Sequence, residues 1–410
     1  MLTNVCVVGG GPAGLTAALT LAQSGLSCVV IEKEYFPRDK ICGDALSGKV
    51  ITTLKKLNPE TFADFKNNDS FQPCFGIKFV SPNQSFVNIP FKKELFDDEA
   101  LVNPSGFVSK RIDFDYYLFN LTKKRPEIEV LEGTVVKEYV KTKKGYHLTL
   151  SDGKELEVGI LIICDGAQST FARKHGGMVF EDQHYCGGLR QYYEGVDFEG
   201  DERFLELYFF KDVLPGYFWI FPLGNGKANV GLGMRKDKIS KSKTNLKVLL
   251  EKIIHSQGMI KDRFRNAKAI EQPKGFGLPL GSKKRILTGE HFMLCGDAAS
   301  LIDPFTGEGI SNAMVSGMLA AQTALSAIEK KDFSKLSLSA YETQLEKKIG
   351  KELQLSYWLQ KMLAFPWLFD FVVKKASKNQ EVRDSITAMF NDVDLRSKFK
   401  DPGFYFKLLK

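Results

Sequence analysis

The run VCVVGGGPAGLTAALTLAQSGLSCVVIEKE, from Val5 to Glu34, constrains this chain more than any other. Val5 to Val8 form an unbroken apolar stretch, the pattern of a strand buried on both faces. Gly9, Gly11 and Gly14 follow in GxGxxG spacing. Leu15 to Ser24 read as a helix rich in Ala and Leu, Gly25 ends it, and CVVIE makes a second strand finishing on Glu32. Each part has a separate physical task. Gly9 permits a tight turn, Gly11 lets backbone approach a ligand closely, and Gly14 lets helix and strand touch. Pro12 and Ala13 belong to the cofactor-binding turn, and the helix that follows presents free N–H groups and a positive dipole end that suit a pyrophosphate. Glu32, with Lys33 beside it, lies 18 residues beyond Gly14, where a carboxylate accepts hydrogen bonds from ribose hydroxyls. Strand, glycines, helix, strand and acid in that order define a dinucleotide site.

The acid fits an unphosphorylated ribose in either NAD or FAD. A second glycine–aspartate element, far along the chain in CGDAASLIDPFTGEG (Cys295 to Gly309), favours FAD. It follows the apolar run HFML. A third, LIICDGAQSTFARK, is a buried apolar strand leading to Asp165 and Gly166, with Ser169 and Arg173 at a helix start.

Other classes of function are excluded by composition. The 410 residues exceed one ordinary core, so two interleaved or consecutive domains are expected. The net charge of +8 comes from scattered lysines, with no basic run interleaved with aromatics, so nucleic acid is not a partner to expect. The seven cysteines are odd in number and widely spaced without a CxxC pair, and histidine occurs only five times. That pattern speaks against disulfides and against a metal site, and for a reducing, cytoplasmic setting. The 32 phenylalanines fit either an aromatic-rich core or a large apolar cavity. The N-terminal apolar run reads as a strand and not a signal peptide, and no window of 18 uncharged apolar residues offers a membrane span.

The motifs GGGPAG, CDGAQS, CGDAA and DPFTGEGI together resemble the flavoprotein superfamily that includes p-hydroxybenzoate hydroxylase. Two more, KICGDALS (Lys40, Cys42, Gly43, Asp44) and LPGYFWIFPLGNGKANVGLG (Tyr217, Trp219, Phe221, Pro222), are similar to signatures of the geranylgeranyl reductase family. The matches run from residue 5 to about 320, and the last 80 or so residues match only loosely. The resemblance implies that Asp297 binds the ribityl hydroxyls and that Pro304 shapes a turn. It implies that Gly307, Glu308, Gly309 and Ile310 open a helix whose N–H groups face the flavin pyrimidine. It places Arg111 near the phosphate or ribityl region, Val136 beside the adenine, Gly43 at the cofactor, and Asp165 with Gly166 between FAD and the nicotinamide side. Cys42 and Tyr217 become candidate proton donors or substrate positioners. Tyr217, Trp219 and Phe221 become candidate substrate contacts.

The expected fold is α/β. A discontinuous Rossmann-type FAD domain takes residues 1–75, 101–176 and 271–340. An antiparallel substrate sheet takes 76–100 and 177–270, and a helical region takes 341–410. Phe75 to Phe91 reads as a hairpin turning at Ser81–Pro82–Asn83, and 241–265 has helical spacing. The stretch from Trp358 to Val373 has three readings: tunnel wall, membrane contact or ordinary core. The implied activity is reduction of a carbon–carbon double bond in an isoprenoid-like or otherwise small apolar substrate by reduced FAD. NAD(P)H or a reduced electron-carrier protein would be a transient donor. The alternative is a flavin monooxygenase or halogenase of the same superfamily, because one fold supports both chemistries.

Overall fold

The computed structural model describes residues 2–91, 106–198, 201–256, 258–380 and 382–383. The expected 76–100, 101–176 and 341–410 segments therefore lie partly outside the described residues.

A first sheet carries the glycine-rich motif. Its order is Thr288–Gly289, Phe292–Leu294, Glu155–Ile163, Leu2–Val8, Cys28–Ile31 and Ile128–Leu131. The last five of these strands pair in parallel, and Val136–Thr142 and Gly145–Leu150 extend the sheet in antiparallel fashion. The helix Pro12–Gln23 and the long helix Ile310–Lys330 pack on it and on each other. They approach so closely that a Cβ on Gly317 would lie 2.1 Å from the Ala13 carbonyl oxygen.

Register decides where ligands go. Val8 pairs with both Ile31 and Ile163, and Ile163 pairs with Leu294. The carboxyl ends of these strands therefore align. Gly9, Glu32, Asp165 and Gly296–Asp297 follow immediately and share one edge, the usual place for ligands in an open α/β sheet.

A second, largely antiparallel sheet runs Lys268–Ala269, Tyr185–Glu194, Lys227–Arg235, Tyr217–Gly224, Phe204–Tyr208, Gly76–Val80 and Phe86–Pro90. The hairpin expected at Phe75 to Phe91 is present. Lys274–Pro279 also pairs with Tyr185–Arg190, so this sheet runs on past residue 270, where the expected division placed its end. Strand alternation sorts its side chains. Phe218, Ile220, Val230 and Leu232 pack on the helix Leu246–Ser256 through Leu249, Leu250, Ile253 and Ile254. Trp219 and Phe221 face the other way, with Leu205, Leu207 and Phe79. Gly231 clears space for the Trp219 indole, since a Cβ there would sit 2.4 Å from the ring.

A small sheet of Ala45–Leu46, Gly106–Val108 and Gln72–Cys74 packs against the Tyr217–Gly224 strand of the second sheet. The helices Lys351–Met362 and Pro366–Lys378 form a hairpin that closes the far side through Leu363, Val373 and Ala376. No described helix is long and apolar enough to cross a membrane.

Candidate active site

Between the sheets lies one cavity of about 930 Å³. Every residue expected to hold the cofactor lines it except Gly14, which packs behind it: a Cβ there would lie 1.9 Å from the Gly9 carbonyl oxygen. Cys42, Tyr217, Trp219 and Phe221 line it too.

The glycine loop has the geometry its sequence predicts. Gly9 has φ +107°, a left-handed value at which a side chain is strained. A Cβ there would also lie 2.3 Å from the Cys164 carbonyl oxygen. Gly11 caps the first helix without any side-chain capping bond, so the first-turn N–H groups are left to the cavity. Glu32 accepts hydrogen bonds from Gly10 N (2.8 Å) and Glu34 N (3.1 Å) at its two oxygens. Lys33 is solvated and 3.8 Å from Glu34. Val136 is buried at the cavity edge.

Asp165 and the distal run complete the cradle. Burial pushes the Asp165 carboxyl up to about 6, against Ser169, its own backbone and Arg173, and its Oδ1 has no partner. Gly166 has open space around its Cα. Ser169 caps the short helix after it, its Oγ accepting from Ala172 N at 2.9 Å. Asp297 lies 3.3 Å from Lys40, across the cavity. Asp303 shapes the turn by accepting from Phe305 N (2.9 Å) and Thr306 N (2.8 Å), and the Pro304 carbonyl accepts from Gln360 at 2.6 Å. The long helix then begins at Ile310, with Gly309 as an uncapped N-terminus. Two helix N-termini with free N–H groups, an unpartnered carboxylate oxygen and bare glycine backbone fit a dinucleotide with an electron-rich ring system at the far end.

Arg111 lines the cavity beside Cys42. It is buried, paired bidentately with Asp115 (2.7 Å to each oxygen), and in contact with the Cys42 side chain. Burial works against its charge, but Asp115 and then Cys42 hold its pKa above the ordinary arginine value. Tyr217 donates its hydroxyl proton to the Thr306 carbonyl, tying the aromatic strand to the distal turn. Burial first, then Asp303, Cys186, Cys42 and Glu308, push its pKa well above that of a free tyrosine.

Three further residues escaped the sequence reading. Arg38 bonds Asp115 (2.8 Å) and the Gly10 carbonyl (3.0 Å) and stands 3.4 Å from Glu32, beside the pyrophosphate loop. Asp44 was visible only as part of a motif. It is fully buried and accepts from Tyr192 (2.7 Å) and Asn229 (2.8 Å). Asn229 donates as well to the Cys42 carbonyl (2.7 Å) and accepts from Trp219 Nε1 (2.9 Å). An asparagine among the alternating small residues of KANVGLG was the one available signal.

Such a cradle beside an apolar cavity defines a class, the FAD-dependent oxidoreductases, and an FAD binding domain model matches residues 4–39. A model of the geranylgeranyl reductase catalytic domain matches residues 188–276, in the second sheet. The chain is 30% identical over 366 residues to a digeranylgeranylglycerophospholipid reductase of Thermoplasma volcanium, covering 87% of this chain and 86% of that protein. It is 28% identical to a menaquinone reductase of Mycobacterium tuberculosis, over 88% and 84% of the two chains. A geranylgeranyl bacteriochlorophyll reductase-like structure from Thermoplasma acidophilum superposes with a TM-score of 0.80 at 27% identity, over 97% and 99%. The chain belongs to the geranylgeranyl reductase family.

Proposed function

We propose that this enzyme reduces carbon–carbon double bonds in a polyprenyl or similarly long apolar chain. The observation that carries the reading is that one cavity holds both the cradle and an apolar arm. Its cofactor cradle opens directly into an apolar arm walled by Ile77, Phe79, Val87, Leu205, Leu207 and Val373. Burying a chain there is favourable at about 25 cal/mol per Å², and no charged side chain stands among these wall residues.

Bound FAD, once reduced, supplies a hydride. The protein's task is to hold the alkene against it, exclude water and deliver a proton to the other carbon. Trp219 and Phe221 form the floor that positions the chain. Asp297 and the Gly309–Ile310 helix start hold the cofactor. The hydroxyl proton of Tyr217 is engaged by Thr306 and its acidity is weakened, so Tyr217 positions, and Cys42 is the group that supplies the proton. Electrons arrive transiently from NAD(P)H or a reduced carrier protein. The exposed Phe365 and Trp367 at the tip of the helical hairpin, flanked by Lys361 and Lys374, form the contact through which the substrate leaves a bilayer.

The test is anaerobic. Reduced enzyme mixed with geranylgeranyl lipids and with menaquinone should be reoxidised, and mass spectrometry should show products heavier by two hydrogens per bond. No reoxidation until air is admitted, with hydroxylated or halogenated product appearing then, would replace this reading with the oxygen-using alternative.

A further inference from the structure

The segment that carries Cys42 is fastened by a polar lock that the reaction itself does not require. Trp219 Nε1 is a donor only, so it fixes the Asn229 amide with Oδ1 toward the indole (2.9 Å). Asn229 Nδ2 must then spend both of its protons on the loop, one on the Cys42 carbonyl (2.7 Å) and one on Asp44 Oδ2 (2.8 Å). Tyr192 gives a second proton to the same Asp44 oxygen (2.7 Å). Asn229 and Asp44 are both fully buried. Gly43, between Cys42 and Asp44, lies flat on the aromatic pair: a Cβ there would stand 3.2 Å from Phe221 and 3.9 Å from Trp219. The Cys42 side chain is in contact with Arg111, itself clamped by Asp115.

Asp44 is a poor choice for stability. Its φ of +69° is left-handed, where asparagine and glycine are easier. Its Oδ1 is buried with no partner, although Arg190 and Arg111 lie near enough to act on its charge. A residue that is strained, buried and half-satisfied points to function more than to folding.

We propose that Asp44 and Asn229 are positioning residues that lock the Cys42–Asp44 loop to the Trp219 strand and so set where the Cys42 thiol enters the cavity. This rests on the reading of Cys42 as proton source. They act through Cys42, whose carbonyl and loop they hold. The lock joins the two segments that the chemistry needs together, the proton source and the aromatic floor.

Three variants of the full-length, flavin-loaded protein test it. Asp44→Gly keeps the left-handed backbone at no cost but strands the Tyr192 hydroxyl and one Asn229 N–H. Asn229→Ala releases the Cys42 carbonyl. Asp44→Asn keeps an acceptor in place for both donors. Of the seven cysteines only Cys42 is not buried, so iodoacetamide alkylation reads its placement without any substrate. In Asp44→Gly and Asn229→Ala the alkylation rate should change at least ~5-fold. The kcat for alkene reduction should fall at least ~10-fold, with KM within ~3-fold, because a displaced proton source costs orientation and not binding. Asp44→Asn should match the wild type in both. The proposal is overturned if the folded, yellow glycine and alanine variants alkylate and turn over normally. It is also overturned if Asp44→Asn fails as badly as glycine. Should Asp44→Gly not fold, Asn229→Ala alone decides. If no polyprenyl substrate is reduced by the wild type, the substrate reading fails, while alkylation still tests the lock.

Discussion

Asp44→Asn should make this protein more stable at neutral pH, and by an amount that pH controls. Burial, against the hydrogen bonds from Tyr192 and Asn229 and the charges of Arg190 and Arg111, raises the Asp44 carboxyl from 3.8 to about 6. The sign follows from proton counting. Below pH 3.8 the folded and unfolded chains both hold the proton and nothing is lost. Between 3.8 and about 6 the unfolded chain releases it first, so folding loses ground as pH rises. Above 6 the penalty is complete, and at 1.36 kcal/mol per pH unit it amounts to about 3 kcal/mol. Asparagine keeps the acceptor for both donors and suits the left-handed backbone, so it removes the penalty without removing the contacts. For 410 residues, at about 2.1 cal/mol/K each, that is a rise of about 3.5 °C in melting temperature. Differential scanning fluorimetry of variant and wild type at pH 8 and pH 5 measures it. The gain at pH 5 should be roughly half that at pH 8, because the unfolded chain is then ahead of the folded one by only part of the full difference. A lower melting temperature for the variant at pH 8, or a gain that does not shrink on acidification, would refute the reasoning. The first result would mean that Arg190 and Arg111 more than offset the cost of burial, and the second that the gain does not come from the carboxylate's charge.

Asp297→Ala should weaken FAD retention by about 10- to 100-fold, the worth of a hydrogen bond to a charged group, leaving a bleached protein in gel filtration. Cys42→Ser should keep the flavin spectrum but lower single-turnover alkene reduction by about 10²-fold; unchanged turnover would make Cys42 a packing residue. Replacing Phe365 and Trp367, which are 56% and 68% exposed, with Ser should reduce co-sedimentation with anionic vesicles while leaving reduction of a detergent-dispersed substrate intact.

The boundary between what was legible in the sequence and what was not follows chain separation. The strand–glycine–helix–strand unit was readable because each step depends on neighbours within a few residues. So was the facing of Trp219 and Phe221, since a strand alternates with a period of two. The clustering of Gly9, Glu32, Asp165 and Asp297 followed from their places just beyond apolar strands, and a parallel register turned those four strand ends into one edge.

Only the tertiary structure paired Asp44 with Asn229, 185 residues apart, and Lys40 with Asp297, 257 apart. It brought Arg111 to Cys42, drew Arg38 to the Gly10 carbonyl, and made the hairpin Lys351–Lys378 a wall of the cavity. No local rule predicts these contacts. A buried polar group must find a partner, but which one it finds depends on how two discontinuous sheets pack against each other, and that is decided by summed apolar burial over the whole chain.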